Sequence, residues 1–350
     1  MYDVMDDIQK WVRAGEHVIL ATVIDTWGSS PRGVGAKMAF TPDGKITGSV
    51  SGGCIESAVF ETGLDVHKSG HPRLLHFGVS DETAMEVGLA CGGQIDVFVQ
   101  KLDPSLFELM RENLIAGSAS ALMTVLQPED SLGEQALFSE EALLASDHRK
   151  VWGKEAQALS RQAILSGEPS RTSLAVQTTE SQDEEIEGFI DPILPPPTLI
   201  LVGGAHISIA LVAIARALGY KTIVVDPRRA FSSSERFPHA DQIIQTWPQD
   251  AFKQIKLNRN TSVVLLTHDP KIDDPALRIV LESPVFYIGA LGSKRTQANR
   301  RERLSSEGIS EERLDRIHGP IGLDLGAKTP EEIALAIMSE IVAVRRGKAA

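Results

Sequence analysis

Two cysteines beside paired glycines are the residues best suited to nucleophilic or metal chemistry in this sequence. Cys54 follows Gly52-Gly53 and opens a predicted helix, and Cys91 precedes Gly92-Gly93. The positive end of a helix dipole favours the thiolate, the form of cysteine that attacks an electrophile or binds a metal. The sequence therefore predicts that both cysteines are catalytic or bind a soft metal, and that the flanking glycines contact the same ligand. The open alternative is that each thiol is a small buried hydrophobic side chain.

A glycine-containing turn between a strand and a helix forms the second candidate site. The turn Gly203–Ser208 joins the apolar strand Thr198–Val202 to a helix predicted over Ile209–Leu218. Such a turn presents helix N–H groups to a phosphate, as in dinucleotide-binding folds. Ala205 and Ser208 replace the second and third glycines of the usual fingerprint, and the Ala205 methyl group would crowd a pyrophosphate. The predicted contacts of the turn are Gly203, Gly204, Ala205 and His206.

Polar residues also follow the other strands predicted in this region. The strand Thr222–Val225 ends at Asp226, at about the spacing expected of the acid that binds a ribose. The strands Ser262–Thr267 and Val285–Ile288 also lead into polar segments. Open α/β sheets bind ligands at the carboxyl ends of their strands, so these segments predict one site. Its further cofactor contacts are predicted to be Asp226, Arg228, His268, Asp269, Gly292, Ser293, Lys294 and Arg295.

Individual residues of this set have simpler alternatives. Asp226 alone could cap a turn or a helix, and His206 could cap or pack against its helix. Lys294 and Arg295 could form an ordinary exposed helix start. Thr329, Pro330 and Glu332 predict a capping box at the start of a helix and no chemistry.

The elements that would position these residues define an α/β protein. Apolar, β-branched strands alternate with helices after Thr198, which predicts a Rossmann-like parallel sheet. Before it, helices, strands and a hairpin predict an α+β region, and three prolines at Pro195–Pro197 mark the boundary. The predicted domains are an N-terminal domain at 1–105, a second α+β segment at 106–190, a Pro-rich linker at 191–197 and the Rossmann-like domain at 198–350.

The second α+β segment echoes the first in a degenerate form. Thr22-Val23-Ile24 is echoed by Thr124-Val125-Leu126, and Lys37–Phe40 is echoed by Gln135–Phe138. The second copy lacks both glycine-cysteine loops. We therefore predict an internal duplication whose first copy alone carries chemistry, with chance similarity of two α+β segments as the alternative.

Composition narrows the class of protein and its partners. The 350 residues carry 47 acidic and 35 basic side chains, a formal net charge of -12, which argues against sequence-independent nucleic-acid binding. No secretory signal is visible, and no run of about 18 apolar residues predicts a membrane span. Two cysteines could pair, but a disulfide framework would usually need more of them. These features predict a soluble, cytoplasmic protein.

Taken together, the motifs resemble the XdhC/CoxI family of xanthine dehydrogenase accessory proteins. The resemblance covers nearly the whole chain and places both cysteine loops in an XdhC/CoxI-type N-terminal domain. Such proteins often have Gly-Ala-Gly-His-Val-Gly where this chain has Gly203–Ser208. The segments that carry the resemblance are Gly28–Arg32, Gly35–Met38, Gly48–Glu56, Ala90–Gly93, Gly203–Ser208, Asp226–Arg228, Thr267–Asp269, Ile288–Arg295, His318–Asp324 and Thr329–Ala334.

The resemblance implies a maturation factor for molybdenum hydroxylases rather than a catalyst. Such a factor would bind molybdenum cofactor (molybdopterin), assist its sulfuration by a cysteine desulfurase and deliver it to an apo-enzyme such as xanthine dehydrogenase. Cys54 and Cys91 would then contact molybdenum or its sulfido ligand, and the Rossmann turn would hold the phosphate end. The client enzyme, a nucleotide appended to the cofactor and a homodimer all stay open.

Two other functions stay open as well. An NAD(P)-dependent oxidoreductase would bind its cofactor at Gly203–Asp226, although the sequence contains no obvious catalytic Tyr-Lys or His-Arg arrangement. A redox sensor would use the two thiols. A zinc site is not predicted, because the cysteines lack CxxC spacing and have no close histidine pair.

Overall fold

The chain divides into two compact units, Met1–Pro195 and Pro196–Ala350. The computed structural model describes residues 1–28, 30, 32–53, 55–78, 93–146, 150–178 and 183–348. Within these ranges, no helix is long and apolar enough to cross a membrane.

The first unit begins with a five-stranded antiparallel sheet of order β3-β2-β1-β5-β4. The strands are β1 (Ile19–Trp27), β2 (Lys37–Phe40), β3 (Ile46–Gly48), β4 (Arg73–Phe77) and β5 (Gln94–Lys101). The helices around it are α1 (Tyr2–Arg13), α2 (Glu56–Ser69) and α3 (Pro104–Ile115). The first six residues of β1 are all buried, as expected of an apolar strand rich in β-branched residues. Asp103 caps α3 by accepting a hydrogen bond from the Ser105 N–H at 2.7 Å.

A second sheet in the same unit repeats this strand order as β8-β7-β6-β11-β10-β9, with β9 added at the edge. Its strands are β6 (Ser120–Gln127), β7 (Gln135–Phe138), β8 (Leu143–Ser146), β9 (Lys150–Val151), β10 (Ser170–Thr178) and β11 (Asp183–Ile193). Helix α4 (Lys154–Ser166) lies between β9 and β10 in the chain, and a 3-10 turn spans Glu129–Ser131.

The strand registers of the two sheets match at the positions that echo each other in the sequence. Thr22 lies opposite Lys37 in the first sheet, and Thr124 lies opposite Gln135 in the second. The equal strand order and register agree with an internal duplication, which stays a prediction. The two sheets share one hydrophobic core, because Leu20 and Ala39 of the first copy pack in the same cluster as Leu122 and Leu137 of the second.

The second unit is built on a six-stranded sheet in which every pair of neighbours is parallel. Its order, β14-β13-β12-β15-β16-β17, is the doubly wound order 3-2-1-4-5-6 of a Rossmann fold. The strands are β12 (Thr198–Val202), β13 (Lys221–Val225), β14 (Gln242–Ile244), β15 (Thr261–Leu265), β16 (Tyr287–Ala290) and β17 (Ile317–His318).

Helices cover both faces of this sheet and give it two hydrophobic cores. The helices are α5 (His206–Ala217), α6 (Pro248–Ala251), α7 (Pro270–Glu282), α8 (Lys294–Ser306), α9 (Glu311–Leu314) and α10 (Pro330–Arg345), with a 3-10 turn at Arg229–Phe231. Strands buried on both faces are apolar at nearly every position, which explains the continuous apolar runs in the sequence. The predicted capping box is confirmed, since the Glu332 N–H donates to Thr329 and the Glu332 carboxylate accepts from the Thr329 N–H.

Several predicted element boundaries were wrong. The predicted linker 191–197 overlaps β11, which ends at Ile193, and the predicted strand Ser262–Thr267 ends two residues after β15. Helix α5 begins at His206, three residues before the predicted start at Ile209. The strand predicted at Val285–Ile288 lies two residues later in the structure, where β16 covers Tyr287–Ala290. The earlier start of α5 places His206 in the first turn of the helix. The later end of β16 places the loop with Gly292 and Ser293 directly after the strand.

Candidate functional site

The turn after β12 is shaped by two close contacts of Gly203. Its φ of +109° lies in the region that side chains disfavour, and a Cβ there would be 2.6 Å from Cγ2 of Thr267. The buried Ser208 hydroxyl donates to the Gly203 carbonyl at 2.6 Å. Ser208 therefore replaces the third fingerprint glycine by bonding the end of the strand, and Gly203 brings the loop after β15 against the turn.

The first turn of α5 leaves backbone donors free at this edge of the sheet. Ala205 is the N-cap residue and provides no side-chain acceptor. In the described part of the chain, no acceptor meets the N–H groups of His206 and Ile207. His206 itself is exposed. Free N–H groups at the positive end of a helix dipole are suited to bind a phosphate or another anion.

Asp226, by contrast, is fully buried and bonded inside the protein. Its Oδ2 accepts from the Gly204 N–H and from Nη2 of Arg228, each at 2.8 Å. Its Oδ1 accepts from the backbone N–H and Nε of Arg228, each at 2.9 Å. Burial alone would raise the pKa of Asp226, but these hydrogen bonds and the Arg228 charge outweigh it and lower the pKa. Asp226 is thus bonded to Arg228 and to the Gly204 N–H within the protein.

The loop after β15 contains a strained residue at the same edge. His268 has a φ of +60°, and it is the one non-glycine residue with positive φ among those the structure describes. Its side chain is exposed. Asp269 caps α7 by accepting from the Lys271 N–H at 2.9 Å. Strain of this kind is held in place by the surroundings and is concentrated at functional sites.

The loop after β16 brings two cations to the start of α8. Gly292 has a φ of +135°, and Ser293 caps the helix by accepting from the Thr296 N–H at 3.2 Å. Lys294 and Arg295 are exposed in the first turn. Cations at a helix N-terminus oppose the helix dipole, at a cost of about 0.3–1 kcal/mol each. A bound anion would remove this conflict.

A buried ion pair connects the loops after β15 and β16. The Thr267 hydroxyl donates to Asp273 at 2.5 Å, and Nη2 of Arg300 lies 3.3 Å from the other Asp273 oxygen and 3.3 Å from the Leu291 carbonyl. Asp273 and Arg300 are 1% and 3% exposed. Burial raises the pKa of Asp273 despite the neighbouring guanidinium. Sequence reasoning missed this pair, which fixes one strand-end loop to the next.

Gln297 extends the same network to the last strand. Its Nε2 donates to the Ala290 carbonyl at 2.8 Å, and its Oε1 accepts from Arg300. A Cβ on Gly319, just after β17, would lie 2.6 Å from the Gln297 amide carbon, so the loop after β17 packs directly on this side chain. The loops that follow β12, β15, β16 and β17 therefore form one connected edge.

A second buried cluster holds the end of β17, and it was also missed. The Glu340 carboxylate accepts from the Tyr287 hydroxyl and from the Gly322 N–H, the latter at 2.8 Å. Nδ1 of His318 lies 3.6 Å from Glu340, and its ring stacks on Tyr287 with 4.7 Å between centroids. Burial alone would raise the pKa of Glu340, but contacts with His318, Tyr287 and Gly322 lower it.

In the first unit, Glu56 organises the turn that precedes Cys54. Its carboxylate accepts from the hydroxyls of Ser49 and Ser51, each at 2.6 Å, and from the N–H groups of Ser51, Gly52 and Gly53 at 2.9–3.1 Å. Burial opposes ionisation, yet these bonds lower the pKa of Glu56 to about 2. Gly52 and Gly53 were both predicted to contact a ligand, but their N–H groups donate to the Glu56 carboxylate.

The predicted thiols themselves are not described. Cys54, Cys91 and Gly92 lie outside the described residues, and Gly93 is buried just before β5. Within the described ranges, no group of three or more His, Cys, Asp or Glu side chains could hold a metal ion. The roles of both cysteines stay predictions.

The fold and the connected edge of the Rossmann sheet define the class of protein. It has one unit with two antiparallel sheets of similar strand order and one Rossmann unit. Two family models match the chain, the XdhC and CoxI family over residues 11–78 and the XdhC Rossmann domain over residues 199–341. Together they take in more than half of the sequence. The chain belongs to the XdhC and CoxI family.

Named relatives match over almost the full length. One is a probable xanthine dehydrogenase subunit from Bacillus subtilis, 29% identical over 95% of this chain and 94% of its own length. Another is the molybdenum cofactor insertion chaperone PaoD of Escherichia coli, 27% identical over 95% of this chain and 85% of its own. A crystal structure of a protein named as a xanthine dehydrogenase from Bacillus halodurans superposes with a TM-score of 0.75 and 26% identity, over 99% of this chain and 96% of that one.

Proposed function

We propose that this protein binds molybdenum cofactor and inserts it into a molybdenum hydroxylase such as xanthine dehydrogenase. The observation that carries the proposal is the connected edge of the Rossmann sheet. There, free N–H groups of α5 and the exposed Lys294 and Arg295 offer donors and positive charge to an anion. The name of the Escherichia coli relative, a molybdenum cofactor insertion chaperone, supports the same ligand.

The terminal phosphate of molybdopterin is the part of the cofactor that this edge would hold. His206 and His268 are exposed on neighbouring strand ends and would border it. Cys54 and Cys91 would act on the metal end or its sulfido ligand, since thiolates are soft ligands. A cysteine desulfurase would supply sulfur, and the recipient would be an apo-enzyme of the xanthine dehydrogenase class.

Co-purification tests the proposal directly. The full chain, expressed in cells that make molybdenum cofactor, should carry molybdenum and pterin in equal amounts. Lys294→Ala with Arg295→Ala should lower the bound pterin about tenfold or more, because two phosphate partners are lost, whereas Arg259→Ala at the opposite edge should retain it. Absence of pterin from the wild-type chain would contradict the proposal.

The cysteine roles and the rival activity need separate measurements. Cys54→Ala or Cys91→Ala should weaken cofactor retention or partner activation with unchanged circular dichroism, and full activation by both variants would refute a cysteine role. An oxidoreductase would instead bind NADH or NADPH at Gly203–Asp226. Saturable binding of either nucleotide in a titration, without pterin binding, would favour that function.

A further inference from the structure

The segment between β13 and β14 fills the place where a Rossmann fold usually binds a nucleoside. In dinucleotide-binding folds of this strand order, the acid that ends the second strand accepts hydrogen bonds from the ribose hydroxyls. Asp226 stands at that position, at the end of β13. What surrounds its carboxylate therefore decides whether a nucleoside can bind there.

All acceptor positions of Asp226 are already used. An ionised carboxylate has about four lone-pair sites. The carboxylate accepts the N–H of Gly204, the N–H of Arg228, and two bonds from the Arg228 guanidinium. The side chain of Asp226 is fully buried. A ribose could bind to this carboxylate only after Arg228 had left it.

The residues after Arg228 also cover the glycine turn. A Cβ on Gly204 would lie 1.7 Å from the carbonyl oxygen of Phe231, so the backbone of the segment is packed directly on the turn. Nη2 of Arg236 donates to the Gly204 carbonyl at 3.3 Å. The Gly204 N–H, which is the backbone group that could donate to a pyrophosphate, is thus already bonded to Asp226, and the Gly204 carbonyl is bonded to Arg236.

Further contacts hold this covering segment in place. The buried Ser232 hydroxyl lies 3.0 Å from the Asp226 carbonyl and 3.1 Å from the Arg228 carbonyl. The Arg228 guanidinium lies over the Phe231 ring at 4.2 Å. The segment is therefore packed and bonded at both ends.

We infer that Arg228 and the segment 229–237 close the nucleoside half of the Rossmann crevice, so that the protein selects molybdenum cofactor in its phosphomonoester form over a form with an appended nucleotide. This inference rests on the proposed function. The phosphate would lie on the open half of the crevice, where the donors of α5 and the cations of α8 have no bonded partner among the residues that the structure describes. Arg228 is then a specificity-determining residue.

Calorimetric titration of the full chain tests the inference with two defined probes, the phosphomonoester cofactor and the same cofactor joined to CMP through a pyrophosphate. The wild-type chain should bind the first at least tenfold more tightly and should show no saturable binding of AMP. Arg228→Ala should reduce this ratio and create AMP binding, because two acceptor sites of Asp226 become free. Arg259→Ala is the matched control and should keep the wild-type ratio.

The outcomes separate the inference from the proposed function. Equal binding of both cofactor forms by the wild-type chain would overturn the inference alone, as would an unchanged ratio in folded Arg228→Ala. Binding of neither form would overturn the proposed function and the inference with it. If Arg228→Ala does not fold, the wild-type ratio and Arg228→Lys, which keeps the charge but not the forked donor, still decide the question.

Discussion

The carboxylate of Glu56 fixes the turn 49–53 through two hydroxyls and three backbone N–H groups. The Ile55 N–H is held as well, since it donates to the Ser51 hydroxyl at 3.2 Å. The residues on both sides of position 54 are therefore bonded to the same cluster. The family resemblance includes this segment, but the role of Glu56 was not predicted. A glutamate at the start of a helix usually does no more than interact favourably with the helix dipole.

We expect Glu56→Gln to destabilise the first unit in a pH-dependent way. The pKa of Glu56 is lowered to about 2 in the folded protein, so its contribution to stability is present above the unfolded value near 4.5 and is lost as the pH falls toward 2. Allowing for solvent screening at this half-buried site, the difference at neutral pH should be about 1–2 kcal/mol.

Denaturant titrations between pH 7 and pH 2 measure this difference. Glu61→Gln, on the exposed face of the same helix, is the control and should cost little at any pH. A cost for Glu56→Gln that stays constant down to pH 2 would show that the charge of Glu56 is not what holds the turn.

At the scale of elements, pattern and composition predicted the sheet but not the network that connects its loops. The strands of the Rossmann sheet could be predicted from one sequence, because strands that are buried on both faces are long apolar runs. The start of α5 was placed too late because Ala205 is a poor N-cap and gives no signal. The pair of Asp273 and Arg300 was missed because charged residues in helices are ordinarily exposed, and only the packed structure reveals which two face each other.

The buried pair also gives a prediction for α8. Arg300→Met should destabilise the second unit by about 3–5 kcal/mol, because the buried Asp273 loses its charge partner. Arg301→Met, one residue away, removes only exposed ion pairs with Glu311 and Asp315 and should cost about 1 kcal/mol or less.

Unfolding free energies from urea titration distinguish the two variants. Adding Asp273→Leu to Arg300→Met should recover much of the loss, because an apolar pair leaves no unpaired charge in the core. Similar costs for the two single arginine variants would mean that the pair does not hold the loops together.

At the scale of the whole molecule, the first unit contains two similar sheets, and the second lacks the glycine-cysteine loops of the first. The Rossmann unit fills its nucleoside half with its own chain. In the first unit, the buried Lys37 of one copy lies 2.6 Å from Asp191 of the other, so the copies share an ion pair as well as a core. The two copies are thus packed and paired with each other. We predict that the second copy carries no chemistry and that the Rossmann unit holds the phosphate end of the cofactor.

Hydrogen exchange with and without bound cofactor tests that assignment. Binding at a concentration about 100 times Kd stabilises a folded unit by about 2.7 kcal/mol, and exchange should slow most where ligand contacts form. We expect slower exchange at 203–209, where the N–H groups of His206 and Ile207 have no acceptor within the described residues. We expect the same at 291–297, which contains the exposed Lys294 and Arg295. Strands β6 and β11 of the second copy should exchange at the same rate in both states. Protection confined to those strands, with the cofactor bound, would place the phosphate site in the duplicated region and remove the Rossmann edge from the mechanism.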